Sequence, residues 1–107
     1  MSIVLTTIGG DTDATPLART LIEERLAACV SILPAMTSVY CWKEAVDQER
    51  EQQLIIKTTA DRVAALQARL RVLHPYELPE FIVIDGTASD AYAQWVRAAV
   101  RSGGSAR

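Results

Sequence analysis

Histidine is almost missing from this chain, with His74 the only one among 107 residues. That scarcity excludes a multi-imidazole metal cage within one chain and leaves a single candidate for imidazole base chemistry. Cysteine is sparse too: Cys29 and Cys41 are the only two. They have neither C-x-x-C spacing nor a zinc-ligand pattern, so reduced thiols in a cytoplasmic protein are expected. Glycine occupies five positions, and none forms a Walker, Rossmann or Gly-x-Ser-x-Gly frame. Gly9-Gly10 reads as a strand-to-helix turn. No apolar run approaches the roughly 20 residues of a membrane span, and residues 1–5 have no basic region or cleavage-like site, so no signal peptide is expected. Positive charge is not in excess. The net charge of −2 gives a nucleic-acid partner no electrostatic support. Arg62, Arg69 and Arg71 fall on one expected helix and read as its solvated face.

Hydrophobic residues are plentiful, at 50% of the chain. A single domain of this length buries such a share poorly alone, which points to a subunit interface. Element order comes from local pattern. Residues 3–7 (Ile-Val-Leu-Thr-Thr) and 54–59 (Leu-Ile-Ile-Lys-Thr-Thr) are β-branched runs, each leading into a helix. The first helix is expected with Thr15 as its N-cap, Pro16 at its first position, and an apolar stripe of Leu17, Leu21, Ile22 and Leu26. The second carries Val63, Leu66, Leu70 and Leu73 and stops before Pro75. Strands at 29–33 and 81–85 follow them. Two β-α-β units in series give an α+β, ferredoxin-like βαββαβ sandwich with both helices on one sheet face. A C-terminal helix over about 89–101, with Tyr92, Trp95, Val96 and Ala99 on one side, covers part of the other face. The expected domain is 1–101, with 102–107 a disordered tail.

The middle of the chain is longer than this fold requires. Residues 37–42 (Thr-Ser-Val-Tyr-Cys-Trp) are rich in β formers, while residues 44–51 are charged. One reading is an extended β-hairpin arm bearing Tyr40 and Trp42, paired with a neighbouring subunit; the other is a long irregular loop.

The remaining polar concentration is the heptapeptide His74-Pro75-Tyr76-Glu77-Leu78-Pro79-Glu80. Its two prolines fix φ and push His74 and Leu78 toward extended backbone, so helix is excluded there. The segment serves equally as a rigid binding corner or as a helix stop and strand lead-in.

Five segments taken together resemble the CutA family of divalent-cation tolerance proteins. They are 25–30 (Arg-Leu-Ala-Ala-Cys-Val), Leu33-Pro34, 37–42, 55–59 (Ile-Ile-Lys-Thr-Thr) and the 74–80 heptapeptide. The resemblance implies a homotrimer with hairpin arms crossing between subunits, an architecture like that of PII signalling proteins, and association with copper or other divalent metal ions. The copper site attributed to some members uses a cysteine near the end of the first strand and a His-His pair before the proline. The matching positions here are Thr6 and Leu73-His74, so one donor of three is kept. Weak binding of Cu(II) or another divalent cation is therefore expected, with His74, Cys29 and Glu77 as candidate ligands. His74 as a hydrogen-bonded structural residue, and Cys29 as a small core residue, are the competing readings. Trp42, Lys57, Tyr76, Glu80 and Trp95 are the candidate interface or pocket residues, with Lys57 a possible cation for Glu80. Nothing supplies a nucleophile with a positioned base, so no enzyme is expected. The alternative to a metal-tolerance role is a PII-like trimer binding a small ligand or partner, with no dedicated metal site.

Overall fold

The structure, a computed structural model, describes residues 1–101; the expected tail at 102–107 lies outside them. The elements in order are β1 (Ser2–Gly9), α1 (Thr15–Glu23), β2 (Cys29–Ile32), β3 (Met36–Trp42), β4 (Ala45–Thr58), a 3₁₀ turn (Ala60–Arg62), α2 (Val63–Leu73), β5 (Ile82–Asp85) and α3 (Asp90–Ala99). The sheet runs β2-β4-β1-β5, with β3 added onto β4, and its pairings are antiparallel. This is the ferredoxin-like order with a hairpin extension and a C-terminal helix.

Alternation along the strands separates two faces. Val4 and Ile56 pair in register and join Leu21, Leu66 and Leu70 in the main core, which places α1 and α2 on the same side. The opposite face carries Ile3, Leu5 and Ile55, and α3 covers only one end of it through Val96 and Val100 packed with Ala28. The short edge strand β5 stays open, with Ile82, Val83 and Ile84 all more than 40% exposed.

Several local expectations shift. The residue preceding α1 is Ala14, so Thr15 is already helical; Asp13 supplies the cap by accepting the Thr15 N–H at 3.0 Å. Ile22 is exposed and the buried position is Ala18, because the helix ends at Glu23 and the chain reverses. Arg25, at φ 60°, makes that reversal: its N–H reaches the Ile22 carbonyl and the Leu26 N–H reaches the Leu21 carbonyl, a Schellman closure that also brings Leu26 inward. Arg69 is not simply solvated; it makes a two-pronged ion pair with Glu24, just past the end of α1, at 2.8 and 2.9 Å. Arg62 donates to the Val100 carbonyl and ties the 3₁₀ turn to the end of α3. Trp95 lies outside the packed side of α3 and is 50% exposed.

The middle segment is an arm. All 7 residues of β3 pair with β4, from Met36↔Glu51 to Trp42↔Ala45, and all of the charged stretch after Glu44 is part of a 14-residue strand. Lys43 and Glu44 close the hairpin with φ of 51° and 66°, the left-handed pair of a two-residue type I′ turn. The arm stretches the chain to 49 × 25 × 23 Å. At its base Gly10 donates to the Arg50 carbonyl at 2.9 Å, and an added Cβ there would lie 2.9 Å from the Arg50 Cβ. Only glycine admits so close an approach of the β1–α1 turn to the arm.

Candidate functional site

The helix-stop corner is held by the one histidine. α2 ends because Pro75 cannot continue it, and the His74 N–H closes the last turn onto the Leu70 carbonyl at 2.8 Å. The His74 ring then turns inward and is 7% exposed. Its Nδ1 accepts the Tyr76 N–H at 3.1 Å, so Nε2 carries the proton and donates to the Thr7 carbonyl at 2.5 Å. The imidazole meets the Tyr76 ring edge-on, with centroids 4.7 Å apart. Both ring nitrogens are engaged in holding the corner against β1.

This docking lays Tyr76, Glu77, Leu78, Pro79 and Glu80 beside the arm. Together they enclose a cleft of about 850 Å³. One wall is the arm face on which Asp47, Glu49, Glu51 and Gln53 alternate along β4, with Met36, Ser38, Tyr40 and Trp42 along β3. Five carboxylates line the space (Asp47, Glu49, Glu51, Glu77, Glu80), and no lysine or arginine does. Gln53 fixes the inner end: its amide donates to the Glu80 carboxylate at 2.9 Å and to the Thr6 carbonyl at 2.8 Å. Glu51 is 9% exposed, and no ion pair reaches it among the described residues. The Tyr76 hydroxyl is buried without a hydrogen bond of good geometry. Burial first, and then the nearby Glu51 carboxylate, hold its pKa well above that of an ordinary phenol. The Tyr40 phenol is raised in the same direction, by burial and then by Glu49 and Asp47.

The expected ligands do not assemble. His74 has no ring nitrogen to spare in this arrangement. Cys29 sits half-buried at the opposite end of the sheet, in register with Lys57, while Thr7 beside His74 is in register with Gln53. Four residues of strand separate those register lines, roughly 13 Å. The Cys29 thiol lies on the face away from the main core, 3.9 Å from the Ser31 hydroxyl. Only Glu77 of the three lines the cleft. Among the described residues no group of three or more His, Cys, Asp or Glu side chains is close enough to hold a metal ion. Thr6 is buried at 1% exposure, with a hydroxyl lacking a partner. Of the pocket candidates, Trp42, Tyr76 and Glu80 come together in the cleft, whereas Lys57 and Trp95 are elsewhere. The Lys57 ammonium lies 5.5 Å over the Tyr92 ring rather than on Glu80, and Tyr92 lies 5.5 Å from Trp95. What sequence reasoning missed is the acidic row. Its signal was the period-two pattern Asp47-x-Glu49-x-Glu51-x-Gln53, which reads as a strand face once the charged residues are placed in a strand.

Comparison with known proteins adds a family. A sequence model described as CutA1 divalent ion tolerance protein matches residues 2–99. The chain belongs to the CutA1 family. Among CutA relatives, the divalent-cation tolerance protein of Thermus thermophilus is 38% identical over 96 residues, covering 89% of this chain and 93% of the relative. That of Citrobacter koseri is 40% identical over 100 residues, covering 92% and 87%. The crystal structure of CutA from Xylella fastidiosa superposes with a TM-score of 0.87 at 36% identity, over 94% of this chain and 97% of that one. A structure described as PII-like protein CutA from Nostoc, in apo form, gives 0.86 at 35% identity, over 94% and 98%. The CutA fold and the divalent-cation tolerance family are thereby established for this chain.

Proposed function

We propose that this CutA-family chain is a non-catalytic, cytoplasmic homotrimer that takes part in the response to divalent cations by holding them weakly at the acidic cleft. The observation that carries the proposal is the cleft's lining of five carboxylates with no basic side chain among them. Three of them are spread along β4 and two along the 74–80 corner rather than gathered at one point, which suits a hydrated ion retained through its water shell better than a stripped ion in a cage. Cu(II) prefers imidazole and thiolate, and His74 and Cys29 are too far apart to supply both. Modest affinity is the consequence. The non-catalytic reading is supported by the engagement of both His74 nitrogens in structural hydrogen bonds. The cytoplasmic reading is supported by two free thiols.

Calorimetry of the intact protein with Cu(II) and Mn(II) tests the proposal. Micromolar or weaker binding is expected, lost in Glu51→Gln and unaffected by Cys41→Ser. Nanomolar affinity surviving both Glu49→Gln and Glu51→Gln would overturn it. A second reading, a PII-like small-ligand protein without a dedicated metal site, is favoured by one feature: the cleft has aromatic walls from Tyr40, Trp42 and Tyr76, which a metal ion does not use.

A further inference from the structure

The segment between α2 and β5 is held in place by few bonds. Pro75 and Pro79 have no N–H to give. Among the described residues, no main-chain group of residues 75–80 bonds to another main-chain group. Two side-chain ties stand in for the missing ladder. The Gln53 amide holds Glu80. The His74 ring holds the start of the segment, with the Thr7 carbonyl on one nitrogen and the Tyr76 N–H on the other. Gln53 also donates to the Thr6 carbonyl, so both ties dock the segment onto adjacent residues of β1.

The polarity of the histidine tie is fixed. A carbonyl only accepts and an N–H only donates, so the ring must carry its proton on Nε2 and keep Nδ1 bare. One neutral tautomer meets that demand, and the imidazolium does not. A second proton on Nδ1 would face the Tyr76 N–H, 3.1 Å away, donor against donor. The ring is 7% exposed, so its charge would also be taken out of water. Few groups stand near enough to offset that. β1 has no ionisable side chain, and α2 carries Arg69, taken up by Glu24, and Arg71, which is exposed. The segment itself brings the Tyr76 phenol edge-on to the imidazole, and the Glu51 carboxylate of β4 lies by that phenol. Glu77 is exposed, and Glu80 is engaged by Gln53. Among the described residues no carboxylate is a hydrogen-bond or ion-pair partner of the ring.

We propose that His74 is a proton-operated latch: the neutral ring holds residues 75–80 against β1, and protonation releases them while the core stays folded. The held segment binds one proton fewer than the released one. The held form is therefore favoured as pH rises and is lost as pH falls through the imidazole range. For a single proton, the ratio of released to held segment changes about tenfold per pH unit. Tyr76, Glu77 and Glu80 line one wall of the cleft, and Phe81 leads directly into β5. Release thus alters that wall and the approach to the open edge strand together. The latch is independent of what the cleft binds, and so goes beyond the cation reading.

The test is heteronuclear NMR of the nitrogen-labelled full-length protein, with a chelator present so that no metal ion competes, titrated from about pH 8 to about pH 5. At the upper end the ring nitrogens should show the Nε2–H tautomer. On acidification the ring takes its second proton, and the backbone amides of Tyr76, Glu77 and Leu78 should lose order at the same midpoint, read as a fall in their heteronuclear NOE. The amides of Val4, Ile56 and Leu66 in the core should keep theirs. A nearby charge alone shifts resonances but does not loosen a backbone, so the NOE separates release from mere protonation. His74→Asn keeps an acceptor for the Tyr76 N–H, in the manner of an Asx-turn, and does not titrate. The acid response of residues 76–78 should be lost in it completely. Should that variant fail to fold, the ring and amide midpoints of the native chain decide: coincidence supports the latch and separation overturns it. A ring that stays neutral until the whole chain unfolds overturns it, as do core amides that loosen at the same midpoint. An equal acid response in a folded His74→Asn also overturns it.

Discussion

His74 and Tyr76 show how one proline-stopped helix becomes a wall of a site. The imidazole spends both nitrogens on backbone groups, the Thr7 carbonyl and the Tyr76 N–H. A phenylalanine of similar shape would leave both groups unpaired inside the fold. His74→Phe is expected to cost roughly 2 kcal/mol or more, read as a lower urea midpoint at unchanged slope. An unchanged midpoint would mean the corner is held by its prolines alone. Tyr76 carries a pH dependence of opposite origin. Its phenol is raised by burial and then by Glu51, so the folded state keeps the proton where the unfolded chain releases it near pH 10. The unfolded state then binds fewer protons, and stability falls as pH rises beyond that point. Below the unfolded pKa this contribution is fully present. Tyr76→Phe should therefore flatten the alkaline limb of a stability-pH curve above about pH 10, while changing little at neutral pH.

The arm, as an element, separates what local pattern conveys from what it does not. Its β formers at 37–42 were legible, as were the two β-α-β units and the stop at Pro75, because each rests on short-range rules of period and φ. The hairpin was expected, but the extent of its return strand was not. Residues 47–52 are polar on both faces, since most of this stretch never meets the core, and hydrophobic alternation has nothing to report there. The cleft was half legible for the same reason. Tyr76, Glu80 and Trp42 stood out in distinctive segments, but Glu51 becomes a site residue only when register sets Met36 opposite it. Cys29 and Lys57 could be singled out as chemistry, yet only the sheet reveals that they lie a strand's length from His74. The hairpin turn offers a direct check. Glu44 holds φ 66° without being glycine or asparagine, a conformation that costs an L-residue about 1 kcal/mol. Glu44→Gly should raise stability by up to about 0.5 kcal/mol after glycine's added chain entropy is counted, visible as a slightly higher Tm. No gain would indicate that the Glu44 side chain has a stabilising contact of its own in the assembled protein.

At the scale of the molecule, the apolar surface left open bears on assembly. Ile82, Val83 and Ile84 form an edge strand exposed at 46, 43 and 45%, and Trp42 and Trp95 are exposed at 39 and 50%. An open apolar edge of this kind invites pairing with another chain, and these residues lie on three separate elements. In the proposed trimer each subunit's edge and arm would meet its neighbours, and closed symmetry would leave no interface unmatched. Size exclusion with light scattering should give three times the chain mass at micromolar concentration; a monomer would refute the assembly. Trp42→Glu, which sets a charge on the projecting arm, should shift the mass distribution toward smaller species if the arm crosses between subunits. Thermal unfolding supplies the independent reading. When folding is coupled to association, the partners stabilise the native state by mass action, so Tm should rise with protein concentration in the native chain and fall in Trp42→Glu at equal concentration. A Tm independent of concentration would separate heat resistance from assembly and locate it in the core built on Val4, Ile56 and Leu66.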